Sequence, residues 1–211
     1  MTQTATGSIS DSSDAGVGGA RLETEAGRGA SLAGRLHELD RRGYEYAARS
    51  HNLAFEAGLP ALSRIASYSR LWIAVSLILA LGFGKLGRRT ALHALVAVVV
   101  TSVVANLLMK PVADRVRPDR ANVPPDRHVE MPESSSFPSG HSASAFAFAL
   151  TVASEQPLRI AAPVGLLAAA VAYSRVYTGV HYPGDVLAGS AVGASVAVAL
   201  RVLWRRRATK I

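Results

Sequence analysis

The chain has 211 residues and no cysteine, 23 Lys and Arg against 15 Asp and Glu, and a formal net charge of +8; 49% of its residues are hydrophobic and only 18% are charged. Soluble domains carry about 25% charged residues, so this balance excludes a disordered chain, a coiled coil and a disulfide-stapled secreted module. It also argues against a nucleic-acid binder, because the basic residues are not spread over a polar surface, and leaves a small all-α, polytopic membrane protein as the fitting class.

Residues 1–33 are Gly, Ala, Ser and Thr with scattered acids. They lack the basic start and apolar run of a signal peptide and are expected to form a disordered tail. Over residues 34–69, Leu36, Leu39, Tyr46 and Leu53 recur at the spacing of one helical stripe among charges, broken by Gly43 and Ser50. That pattern predicts an amphipathic helical segment at the membrane surface or on the bundle. The membrane domain is expected over 70–204, in five apolar runs: Leu71–Phe83, Thr90–Met109, Ser142–Ser154, Ile160–Tyr173 and Val186–Leu200. Only the second reaches the roughly 20 residues a span needs; flanking Ser, Gly, Tyr or a snorkelling Arg lengthens the others. Their Ala, Gly and Ser content suits close helix contacts in lipid. No strand pattern competes, since β-branched Val96–Val104 has the length and flanks of a membrane helix. The expected architecture is therefore a helical bundle with about five spans, or six if the amphipathic segment also crosses, followed by a basic cytoplasmic tail at 205–211.

Five crossings put 1–70, 110–138 and 175–185 on one side, where the formal charges cancel. The other side receives +3 from Lys85, Arg88 and Arg89, and +5 from Arg201, Arg205, Arg206, Arg207 and Lys210. The net charge makes this second side the expected cytoplasmic one; the positive-inside rule counts Lys and Arg rather than net charge, and by that count the bias is weaker. The expected location is the plasma membrane, with the side of zero net charge extracytoplasmic.

Three polar clusters lie at run ends on the side without net charge. The first is Lys110 with Arg117-Pro118. Seven residues are nearly two helical turns, so both cations could share a face and meet one anion; Pro111 disfavours helical geometry at Lys110. Taken alone, this cluster fits interfacial snorkelling equally well. The second is Pro138-Ser139-Gly140-His141, with Pro138 suited to a first helical turn. The free amides of a helix start bind anions, Gly140 permits close approach, and His141 titrates near neutrality. The third is Ser174-Arg175, His181 and Asp185. His181 and Asp185 are one turn apart, so the carboxylate can hold one imidazole nitrogen and leave the other free as a nucleophile. Arg175 adds another fork for phosphate oxygens. The set contains neither a carboxylate cluster nor a Cys/His ligand set, so metal-independent chemistry is expected, with no cofactor. Cations and amides would supply the charge neutralisation that phosphoryl transfer needs.

In this order the clusters resemble the three-part signature of the type 2 phosphatidic acid phosphatase family, related to the vanadium-dependent haloperoxidases. Residues Ser135–Ser144 and Tyr173–Gly189 look especially like actinobacterial members. The resemblance implies that His181 attacks phosphorus to form a phosphohistidine, Asp185 orients it, and His141 protonates the leaving oxygen. It implies that Lys110, Arg117, Ser139, Gly140 and Arg175 hold the phosphate. The implied substrate is a lipid phosphomonoester or diphosphate: phosphatidic acid, phosphatidylglycerophosphate, a polyprenyl diphosphate or a polyprenyl-linked sugar phosphate. The partners are that lipid and the surrounding membrane, with no nucleic acid. Competing readings are a lipid phosphotransferase, a haloperoxidase (disfavoured by the apolar runs) and a non-catalytic scaffold binding anionic lipid. His93, inside an apolar run, reads as a packed or interhelical group; His37, His51 and His128 read as surface residues, and Trp72 and Trp204 as interfacial anchors.

Overall fold

The computed structural model describes residues 31–50 and 53–208. The chain divides into two compact units, Met1–Glu38 and Leu39–Ile211. Of the first, the described residues are the opening turns of a helix; the tail expected over 1–33 otherwise lies outside the described residues, as do His51 and the last three residues of the expected basic tail.

Seven α-helices occur in the described residues: α1 (Leu32–Arg49), α2 (Leu53–Ile65), α3 (Arg70–Gly82), α4 (Gly84–Val103), α5 (Gly140–Glu155), α6 (Leu158–Tyr177) and α7 (Pro183–Ala208). No strand occurs among them. The five apolar runs become α3 to α7, with three differences that have physical causes. The expected 84–89 connection is absorbed into α4, because Gly84 at φ +60° turns the chain in a single step after α3. Beyond Val103, α4 continues as a π-helical turn over Val104–Met109 and one more α-turn, Lys110–Ala113. Pro111 lacks an N–H and its ring crowds the carbonyl four residues back, so the helix widens just ahead of it. The expected basic tail begins as helix, since α7 runs on to Ala208.

Three helical stretches are long and apolar enough to cross a membrane: Gly84–Ala113, Leu158–Tyr177 and Pro183–Arg207. A fourth is a broken pair, Gly58–Ile65 and Ser67–Gly82, bent by 71°. The expected count of five is not reached by this measure, because α5 has 16 residues, about 24 Å of helix. Its shortness is offset by its position. Helix α5 contacts α4, α6 and α7, and Ala143, Ala145, Ala147, Phe148 and Val152 are fully buried.

Helix α1 packs on the bundle with a face other than its apolar stripe. Leu39 and Tyr46, expected on the apolar stripe, are exposed, while Tyr44, Ala47 and Ala48 are buried with Val123, Val176 and Val186. Gly43 does not interrupt the helix; it lies against Pro183, where a Cβ would come within 3.1 Å of the ring. The outward Leu39 and Tyr46 give α1 an apolar exposed side suited to a membrane surface. Trp72, expected at the interface, is 1% exposed and packs on Phe148 with ring centroids 4.9 Å apart. Trp204 stacks on His93 at 4.0 Å, and His93 Nδ1 meets Glu155 Oε1 at 2.6 Å, so His93 is an interhelical group.

Helices α5 and α7 approach at backbone distance. A Cβ at Gly189 would lie 2.3 Å from the Ser139 carbonyl oxygen, and one at Gly193 would lie 2.0 Å from that of Ala143. These small residues four apart let two backbones touch without a hydrophobic driving force between them. Gly193→Leu should therefore push α7 off α5 and lower the detergent melting temperature by about 10 °C or more, or abolish the monodisperse protein, as overpacking at a backbone contact demands. Gly165→Leu, where nothing lies within 4 Å of the added Cβ, should leave the melting curve in place.

Candidate active site

The ends of α4, α5, α6 and α7 that carry the three sequence clusters meet at one end of the bundle. Lys110, Arg117, Gly140, His141 and His181 line one cavity of about 320 Å³, together with Trp72, Asn106 and Tyr68. Lys110 and Arg117 do not share a helix face as the seven-residue spacing suggests. The helix stops at Ala113, Asp114 adopts φ +34°, and Arg117 arrives from the loop. Its side chain is held by that loop: Nε donates to Ser134 O at 2.9 Å and Nη2 to Ser135 O at 3.2 Å. Nη1 donates to Val180 O at 2.8 Å and points at His181 Nε2 from 3.3 Å. Lys110 Nζ donates to Ser134 Oγ at 3.2 Å.

Helix α5 begins at Gly140, two residues later than a helical start at Pro138 would give. Ser139 is its N-cap: the hydroxyl accepts from Ser142 N at 3.4 Å and from Ser142 Oγ at 3.0 Å, and the Ser139 amide donates to Asp185 O at 3.0 Å. Ser139 is fully buried and is not on the cavity wall. Gly140 is on the wall, with Asn106 Oδ1 3.1 Å from where a Cβ would stand. The first amides of the helix, at Gly140 and His141, have no intrahelical acceptor, and their partial positive charge faces the same end as the cations. His141 Nε2 is buried without a hydrogen-bond partner. Arg175 is 2% exposed; Nη1 donates to Ser63 Oγ, and Nε has no partner. It opens on a second cavity that also has His141 in its wall.

His181 sits in the short break between α6 and α7 and is 2% exposed. Burial pushes its imidazole down to about 4, opposed by Asp185 and reinforced by Arg175 and Arg117. At neutral pH it is an uncharged base. Because a guanidinium can only donate, Arg117 marks Nε2 as the lone-pair nitrogen and leaves the proton on Nδ1. On that side Asp185 Oδ2 stands 3.6 Å away, beyond hydrogen-bond length. Ser136 lies between the two, its hydroxyl donating to Asp185 Oδ2 and standing 3.5 Å from His181 Nδ1.

Three residues of this site carry no sequence signal. Ser136 is one of three consecutive serines. Arg115 donates from Nη1 to Asp185 Oδ1 at 2.7 Å and from Nη2 to Asp40 Oδ2. Its guanidinium also lies over the Tyr182 ring, 4.5 Å from the centroid. Burial alone would lower the Arg115 guanidinium; hydrogen bonds and the charges of Asp40 and Asp185 outweigh that and raise it. Asp40 comes from α1, where its other oxygen accepts from Gly184 N at 2.6 Å. The only available hint was Arg115 two residues ahead of Arg117, and nothing in the spacing tells which of the two faces the cavity.

The PAP2 superfamily matches residues 90–209, which contain all three clusters. The decaprenylphosphoryl-5-phosphoribose phosphatase of Mycobacterium tuberculosis is 35% identical over 135 residues, 64% of this chain and 72% of that protein. The fold is shared with a transmembrane PAP2-type phosphatidylglycerolphosphate phosphatase of Bacillus subtilis (TM-score 0.65, 23% identity, 88% of this chain and 92% of that one). It is shared equally with LpxE of Aquifex aeolicus (TM-score 0.63, 22% identity, 77% and 94%). From the match over more than half its length and the helical ends that gather the three clusters, the chain belongs to the PAP2 superfamily.

Proposed function

We propose that this protein is an integral membrane lipid phosphatase working through a phosphohistidine, with its site on the extracytoplasmic face. The observation that carries the reading is the lone-pair Nε2 of buried, neutral His181, presented to a cavity that Lys110, Arg117 and the start of α5 make positive. A phosphate entering there meets charge-assisted donors on several sides. His181 Nε2 attacks phosphorus, the N–P bond forms and the P–O bond to the lipid breaks. His141, across the same cavity, gives its proton to the leaving oxygen; burial and the neighbouring cations hold its pKa below the ordinary imidazole value, and the arriving dianion offsets them in favour of the imidazolium that can do so. Water then attacks the phosphohistidine and passes its proton to the now neutral His141; the new P–O bond forms, the P–N bond breaks, and inorganic phosphate leaves with His181 restored. The Nδ1 proton stays between Ser136 and Asp185, whose charge stabilises the cationic ring that forms in the first step.

Metal independence is part of the proposal. Among the described residues no three His, Asp or Glu converge as metal ligands, and the cations already placed supply the neutralisation. The mycobacterial relative's name makes a polyprenyl-linked sugar phosphate the leading substrate, and the Bacillus neighbour's makes phosphatidylglycerophosphate the next. The purified protein should release phosphate from such lipids in excess EDTA and be inhibited by vanadate. His181→Ala should lower kcat at least about 10³-fold, the scale of losing a nucleophile; retained turnover would remove His181 from that role.

Arg115 is a positioning residue in this scheme. Without its cation, Asp185 acts unopposed on His181 and raises the imidazole pKa. The rate of the parent enzyme should fall as pH drops through about 4, where His181 takes up a proton. In Arg115→Gln that acid limb should move to higher pH and kcat should drop about tenfold, the lower end for a lost charged hydrogen bond. A merely structural role would lower the rate without moving the limb.

For orientation, the chain's lack of cysteine makes a single probe possible. Asn122 is exposed on the loop between α4 and α5. Asn122→Cys should react with a membrane-impermeant maleimide on intact cells, and labelling only after permeabilisation would reverse the assigned side. Arg127 is unsuitable despite lying in the same loop, because its guanidinium is fully buried against Tyr177 at 4.2 Å and donates to Ser50 O at 2.9 Å.

A further inference from the structure

A second cavity, of about 460 Å³, adjoins the first, and Tyr68, Pro132 and His141 are in the walls of both. Three guanidiniums line it, those of Arg64, Arg70 and Arg175, against one carboxylate, Glu130. Arg175 belongs to the signature clusters, but Arg64 and Arg70 do not. They come from the last turn of α2 and the first residue of α3, on either side of the 71° bend. Among the described residues neither has an acidic partner; Arg70 lies over the Tyr68 ring at 5.4 Å. Tyr68 and Ser69 hold left-handed backbone (φ +55° and +59°), uncommon for residues with side chains. The bend at Tyr68–Ser69 sets the two arginines on one compartment.

The arrangement has a direction. His181, Lys110 and Arg117 are on the first cavity only, and Arg64, Arg70 and Arg175 on the second only. His141, which in the proposed reaction protonates the leaving oxygen, stands at the boundary. The leaving alcohol therefore extends past His141 into the second compartment. From this we infer that the second compartment is a subsite for an anionic group carried by the leaving alcohol, read by Arg64 and Arg70. The substrate class is then a lipid phosphomonoester whose leaving alcohol bears its own phosphodiester, set apart by a polyol or sugar. Phosphatidic acid releases a neutral diacylglycerol and leaves both arginines unused. A lipid diphosphate joins its two phosphorus atoms through one oxygen and keeps both within the first cavity. The inference rests on the phosphatase reading above and narrows it.

The test uses the full-length protein in detergent micelles and measures phosphate release from phosphatidylglycerophosphate, phosphatidic acid and a polyprenyl diphosphate. The spaced diester lipid should have the highest kcat/KM. In the double variant R64Q/R70Q, the ratio of its kcat/KM to that of phosphatidic acid should fall about tenfold, the scale of losing two charged contacts near water. The variant R64K/R70K should retain most of the ratio. Partial misfolding lowers both substrates together and leaves a ratio unmoved. Arg64 and Arg70 are exposed, so the wild-type preference should also shrink as ionic strength rises, through screening. Equal turnover of phosphatidic acid, preference for the diphosphate, a ratio insensitive to R64Q/R70Q, or a preference insensitive to salt would each overturn the subsite and leave the phosphatase reading standing. Phosphate release from none of the three would overturn the phosphatase reading, and the subsite with it.

Discussion

Asp185 is a carboxylate with no solvent exposure, and a charge in that position persists only when its oxygens are met by donors and a countercharge. Oδ1 takes Arg115; Oδ2 takes the Ser136 hydroxyl and, at 2.9 Å, the Tyr182 amide. Those donors come from both ends of the 114–139 loop and from the start of α7. Arg115 in turn needs Asp40 as its second acceptor, which ties α1 to the loop, and Asp40 also accepts from Gly184. The carbonyl of Asp185 receives the Ser139 amide, which fixes the start of α5. One buried negative charge thus sets the mutual positions of α1, α5, α7 and the loop. Removing its ion-pair partner Arg115 would cost several kcal/mol, so the same contacts that neutralise Asp185 hold His181 with Nε2 beside Arg117.

The positions of the helices were legible because apolar runs in lipid have few alternatives: every backbone group must be paired within the segment. The three clusters were legible because run ends fix which polar groups share a membrane boundary. Direction was not legible in the same way. Leu39 and Tyr46 mark an apolar stripe whose pattern suits a membrane surface or the bundle alike; they face outward, because α1 rests on a bundle whose adjoining residues accept Gly43, Tyr44 and Ala47. Trp72 looks like an interfacial anchor, yet it fills the space beside Phe148. Arg115, Ser136 and Asp40 were invisible for a related reason. Each acts through a contact between 45 and 144 positions away in sequence, and no local period encodes such a contact.

The bend between α2 and α3 also carries meaning that hydropathy cannot register. Left-handed backbone at Tyr68 and Ser69 costs about 1–3 kcal/mol per residue and survives only where its surroundings fix it. Ala66 and Trp72, on either side, are buried in the main core and supply that hold. Irregular backbone at membrane depth is tolerated when it lines a cavity rather than lipid, and Tyr68 lines both compartments of the site. The bend is therefore better understood as cavity wall than as a defective span.

The far end of α5 is held by a second polar network. Glu155 accepts from Thr90 Oγ1 at 3.0 Å and meets His93 at 2.6 Å, Gln156 Nε2 donates to Thr90 Oγ1 at 2.8 Å, and Trp204 of α7 covers His93. Polar groups inside a membrane domain are costly unless they satisfy one another, and here they do so across α4, α5 and α7. Helix α5 is thereby fixed at both termini: by Asp185 and the Ser139 cap at one, by Glu155 and Gln156 at the other. Between them its small residues touch α7 at backbone distance. A helix held this way cannot slide along its axis without breaking buried hydrogen bonds at both ends at once. Its free amides and His141 thus keep a fixed depth relative to His181 on the neighbouring break, so the two imidazoles, one from the start of α5 and one from the α6–α7 break, keep their places in the wall of one cavity.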